Sequence, residues 1–202
     1  HGLVLHALDS LQALSILADA PEGPFLDLGT GNGFPGVAAA IAFPARRVYL
    51  VERRGKKAEA VAQLTLACGL TNCSTLHCDG KDLLREHPEL DGAIAAVLAR
   101  AVGPIDEVLR LAAPWLVLGG LVVQWKEGEP QPDGRRAGES KARKLGLRAL
   151  PDREYGLPAL SPTATAAASG ASPSPGSLHG DGPADERLPA AMGPRQRRLV
   201  VH

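Results

Sequence analysis

Apolar positions along this chain follow two rhythms. Short continuous runs, FLDL at 25–28, RVYLV at 47–51, AIAAVLA at 93–99 and LVVQW at 121–125, have the length and branched content of buried strands, and 74–78 alternates like a fifth. Between them, apolar residues recur at helical spacing. Residues 3–17 predict one helix or two short ones, with Asp9 and Ser10 interrupting one face and Pro21 and Gly23 breaking the pattern. Further helices are predicted over 37–42, stopped before Pro44, over 56–67, closed by Gly69, and over 104–113.

Strands that alternate with helices imply an α/β fold: a mostly parallel twisted sheet, Rossmann-like, with helices on both faces. In such sheets ligands bind outside the carboxyl ends of the strands. Gly29, Glu52, Asp79, Arg100 and Lys126 all fall at those ends. One crevice is therefore expected to collect them.

Beyond Lys126 the pattern weakens. Arg135, Arg136, Lys141, Arg143, Lys144 and Arg148 fill a basic, partly helical stretch, and 158–194 is dominated by Pro, Ala, Ser and Gly. That segment has too little apolar area to offset its ordering entropy and is expected to be a disordered insertion. Residues 198–201 regain strand character as a final antiparallel strand. The expected organisation is one domain over 1–157, the insertion at 158–194, and a terminal strand of the same sheet within 195–202.

Composition adds little. Lys plus Arg and Asp plus Glu are equal at 22 each, so a nucleic-acid partner has to be argued from local clusters. No apolar stretch reaches membrane-spanning length and the first residues lack signal-peptide order, so a soluble, cytoplasmic, monomeric protein is expected. Cys68, Cys73 and Cys78 lack metal-site or redox-pair spacing and are read as reduced thiols, with no metal. The chain begins with His1, and a fragment is expected.

The chemistry centres on FLDLGTGNGFPGVAAAI at 25–41. Gly31, Gly33 and Gly36 satisfy the dinucleotide pattern G-x-G-x-x-G, with Glu52 as its acid, which would suit an NAD-dependent oxidoreductase. Asp27, two positions before Gly29, gives instead D-L-G-T-G-N-G, which resembles motif I of class I S-adenosylmethionine-dependent methyltransferases. In that superfamily the carboxylate orients the methionine end of the cofactor and the glycines make room for it.

Four segments together resemble one family, the bacterial 16S ribosomal RNA guanine-N7 methyltransferases known as RsmG or GidB. They are His6-Ala7-Leu8-Asp9-Ser10-Leu11; Phe34-Pro35-Gly36 within the glycine loop; Val51-Glu52 followed by Lys56-Lys57; and Ala99-Arg100-Ala101-Val102 with Lys126. Residues 197–201 are similar to the family's closing strand. The family has Lys-Gly after its fifth strand, whereas Glu127 here separates Lys126 from Gly128, and the family's N-terminal helical extension is largely absent.

The resemblance implies S-adenosyl-L-methionine as cofactor and methyl transfer to guanine N7 in 16S ribosomal RNA or the small ribosomal subunit. An RNA-binding module with an inactive pocket is the non-enzymatic alternative. Asp27, Gly29, Gly31 and Phe34 would surround the methionine end and ribose, Glu52 would accept from the ribose hydroxyls, and Gly80 and Lys81 would contact adenine, flanked by Asp79 and Asp82. Arg100 and Lys126 would position cofactor or RNA near the transferred methyl. An arginine after a buried strand calls equally for an acidic partner within the fold. Arg54, Lys56, Lys57, Lys126 and Arg197 would bind RNA, with Arg46, Arg47 and Arg53 extending the rim and Trp125 stacking on a base. His6 would orient or cap.

Overall fold

The computed structural model describes residues 2–127, 132–157 and 195–202; the expected insertion at 158–194 lies outside the described residues. Two helices, α1 (Gly2–Leu11) and α2 (Leu14–Ala18), lead into β1 (Phe25–Leu28), α3 (Gly36–Ala42), β2 (Val48–Val51), α4 (Gly55–Ala67) and β3 (Cys73–Leu76). After a single turn α5 (Leu83–Glu86) and a short 3-10 segment come β4 (Ile94–Arg100), α6 (Ile105–Ala112) and β5 (Leu116–Glu127). Then follow α7 (Pro132–Lys144), β6 (Arg153–Leu157) and β7 (Arg195–Val201).

The seven strands form one sheet in the order β3-β2-β1-β4-β5-β7-β6. The first five are parallel, and β7 runs antiparallel to both β5 and β6. The strand order reverses between β1 and β4, where open α/β sheets leave a crevice. The α/β expectation holds, with two corrections. An extra strand, β6, forms the edge, so β7 is interior. The third strand is shifted to Cys73–Leu76, which leaves His77 and Cys78 beyond its end.

Side chains of successive strand residues separate to opposite faces. On one face Phe25, Leu50, Leu98, Val123 and Leu199 pack with Leu17, Val37 and Val61 from α2, α3 and α4. On the other, Leu26, Val97, Ala99 and Val122 pack with Val108, Leu109 and Ala142 from α6 and α7. β1 and β4 are buried on both faces, which explains their continuous apolar runs. Among the described residues no helix is long and apolar enough to cross a membrane.

Candidate cofactor site

The carboxyl ends of β1 and β2, with the turns after β3 and β4, enclose a cavity of about 370 Å³. Gly29, Gly31, Glu52, Arg54, Lys57, Gly80 and Lys81, drawn from three separated segments, all line it. Sequence reasoning therefore located the cavity. It did not name all of its walls: Ala101, Val102 and Gly103 after β4, and Glu107, Val108 and Leu111 of α6, complete it.

Two carboxylates organise the glycine loop from opposite sides. Glu52 is buried, and its Oε2 accepts from the Gly31 N–H at 3.0 Å while Oε1 accepts from the Arg54 N–H at 2.9 Å. Each oxygen can accept one further hydrogen bond, and Glu52 lines the cavity. Asp27 does not line the cavity. Its Oδ2 accepts from the Thr30 hydroxyl and the Gly36 N–H, both at 2.7 Å, so it fastens the start of α3 to β1. The Asp27 Oδ1 is buried with no hydrogen-bond partner, and burial pushes its carboxyl up to about 6 against the opposing pull of Thr30, Gly36 and Arg100.

The loop's geometry requires glycine in two different ways. Gly31 has φ 61, a left-handed backbone that places its N–H on Glu52. Gly36 is required by proximity: a Cβ there would sit 2.3 Å from Leu50 Cδ2 and 2.8 Å from Asp27 Oδ2. Gly80 is likewise pressed against Leu28.

Several expected site residues do other work. Phe34, which precedes Pro35 in the glycine loop, is not among the residues that line the cavity. Arg100, also outside the lining, pairs through Nη1 with Asp9 Oδ2 at 3.5 Å and is 13% exposed. The acidic partner within the fold thus exists. Lys126 donates from Nζ to the Gly103 carbonyl at 2.6 Å, bracing a cavity wall rather than facing it. Trp125 is buried and donates from Nε1 to the Asp9 carbonyl at 2.9 Å, so it belongs to the core and does not stack on a base.

The basic residues divide by which end of the sheet they occupy. Arg53, Arg54 and Lys57 are exposed at the cavity mouth, and Lys56 is exposed beside them on the first turn of α4. Arg46 and Arg47 precede β2 and lie at the opposite end. Arg46 donates to the carbonyls of Ala20, Pro21 and Gly23, and Arg47 to that of Thr71. Their position before the strand already carried that information. Arg197 falls on β7 opposite Tyr155, and its side chain lies outside the described residues. Cys78 lines the cavity as a thiol pushed up to about 11, chiefly by burial, with Glu86, Asp79 and Asp82 adding to the shift. Among the described residues no group of three or more metal-ligating side chains occurs.

Residues 3–149 match the GidB family, described as rRNA small subunit methyltransferase G. The chain is similar to the ribosomal RNA small subunit methyltransferase G of Myxococcus xanthus, 36% identical over 76% of this chain and 67% of that protein. With the protein of the same name from Gloeobacter violaceus it shares 37% identity over 60% of this chain and 48% of that protein. The chain spans about half the length of the first curated relatives it matches. Its fold is similar to that of M. jannaschii TYW2, solved in complex with AdoMet, at a TM-score of 0.60 and 13% identity, covering 96% of this chain and 74% of that one.

Proposed function

Because the chain belongs to the GidB family of rRNA small subunit methyltransferase G proteins, we propose that it binds S-adenosylmethionine in this cavity and transfers the methyl group to N7 of a guanine in 16S ribosomal RNA. The observation that carries the choice of cofactor is Asp27. A dinucleotide would rest its pyrophosphate on the N-terminus of the helix after the glycine loop. Here the first N–H of that helix, at Gly36, is already held by the buried Asp27 carboxylate. A phosphate would meet a like charge there.

The remaining residues suit the methyl donor. Glu52 can accept from two ribose hydroxyls without releasing Gly31 or Arg54. Gly80, Lys81 and Asp79 offer backbone and carboxylate contacts to adenine, and the Gly29 and Gly31 backbone leaves room for the amino-acid chain. S-adenosylmethionine supplies an electrophilic methyl group. Guanine N7 presents a lone pair and carries no proton, so the site needs no general base, and alignment and exclusion of water supply the acceleration. Arg53, Arg54, Lys56 and Lys57 at the mouth provide cations for RNA phosphates. In this reading 1–157 and 195–202 form one methyltransferase domain interrupted by 158–194, acting as a cytoplasmic monomer on the small subunit or its RNA.

The test is methyl transfer by the full-length protein to small ribosomal subunits that lack the modification. Label from the methyl donor is expected on N7 of a guanine in 16S RNA. Cofactor binding without product would favour the RNA-binding module, and calorimetric binding of NAD(H) with none of S-adenosylhomocysteine would overturn the methyltransferase reading.

A further inference from the structure

We infer that Asp9, on the N-terminal helix, is a positioning residue that shapes the cofactor cavity through Arg100, so that the docking of α1 and the affinity for the methyl donor are coupled. The inference rests on the reading of this cavity as the methyl donor's site.

Asp9 lies on the packed face of α1 and is 2% exposed. A carboxylate so placed is tolerated only with partners, and it has them from two strands, while a third holds the Asp9 backbone. Its Oδ2 takes Arg100 of β4, its Oδ1 accepts from the Tyr155 hydroxyl of β6, and its backbone carbonyl accepts from Trp125 of β5. Arg100 is followed directly by Ala101, Val102 and Gly103, which form one wall of the cavity.

That wall cannot hold its shape unaided. Ala101 has φ 55, the one positive φ among the described non-glycine residues, and its Cβ disfavours this left-handed backbone. The loop is clamped at both ends instead, by Asp9 on Arg100 and by Lys126 on the Gly103 carbonyl. The Arg100 charge also acts on Asp27, whose carboxylate fastens the facing glycine wall. One guanidinium therefore pairs with the carboxylate that anchors α1 and acts through its charge on the one that fastens the glycine loop. Removing the Asp9 charge leaves Arg100 free to shift, and the wall moves with it.

The test compares Asp9→Asn with Tyr155→Phe, which removes the other side-chain partner of the same carboxylate and leaves the Arg100 pair. Two readouts are taken well below the melting temperature: amide hydrogen exchange of residues 101–103 without cofactor, and calorimetric affinity for S-adenosylhomocysteine. Asp9→Asn is expected to speed exchange and weaken affinity by about tenfold each, while Tyr155→Phe stays within about twofold and Asp9→Glu recovers part of the loss. Should Asp9→Asn not fold, Arg100→Lys carries the same expectation. Unchanged exchange and affinity in a folded Asp9→Asn protein, or equal losses in Tyr155→Phe, overturn the inference. A wild-type protein that binds no S-adenosylhomocysteine while Asp9→Asn still loosens residues 101–103 refutes the methyl-donor reading and leaves the coupling of α1 to the loop standing.

Discussion

Asp27 accepts two hydrogen bonds through one carboxylate oxygen while the other has no partner, and burial holds its proton up to about 6. The unfolded chain releases that proton near 3.8, so between those values the folded state binds more protons than the unfolded one. Stability from this residue is therefore present at low pH and lost as pH rises through about 6. Urea unfolding of the wild type and Asp27→Asn from pH 4 to 7.5 should show the wild type losing up to about 3 kcal/mol relative to the variant as pH rises. Parallel curves would remove Asp27 as the source. The type and place of this residue were legible, because an acid two positions before alternate glycines is a strong pattern. Its task of fastening α3 was not, since that depends on where Gly36 returns in space. Asp9 and Arg100 were likewise each visible, one interrupting an apolar helix face and the other ending a buried strand. Their pairing across the intervening fold was not. Trp125 looked available for stacking only because its neighbour Lys126 is charged; strand alternation puts it on the core face with Val123.

At the scale of elements, β1 and β4 were readable because two-sided burial makes them continuously apolar, whereas the half-buried β3 was placed out of register with its true ends. The edge strand β6 escaped, because Arg153–Leu157 has two charged residues and a glycine among its five and buries little besides Leu157. Its neighbour β7 was recognised by its last residues, and Leu199 is fully buried between Trp125 of β5 and Arg153 of β6 in register. Leu199→Ala should cost about 2–5 kcal/mol in urea unfolding. A loss under about 1 kcal/mol would show that β7 is not seated in the core. The basic cluster on α4 was legible as a cluster; which arginines join it was decided by strand direction, which puts Arg46 and Arg47 at the wrong end.

Over the whole molecule, the cavity belongs to no single element: β1, β2, α6 and the turns after β3 and β4 each supply a wall. A ligand that fits all of them binds only the folded state and must stabilise it. S-adenosylhomocysteine at about a hundred times its Kd is expected to add about 2.7 kcal/mol, raising the melting temperature by about 5 °C or more, whereas NAD(H) should shift it negligibly. A shift with NAD(H) alone would reverse the cofactor assignment. The position of β7 has a consequence for how such a chain is made. Among the described residues β6 pairs only with β7, and the open side of β5 also waits for it, so a chain emerging from the ribosome holds two unsatisfied strand edges until residues 195–201 arrive. Closure of the sheet is then a late, long-range step. Through that interval the nascent protein is most exposed to pairing with the wrong strand.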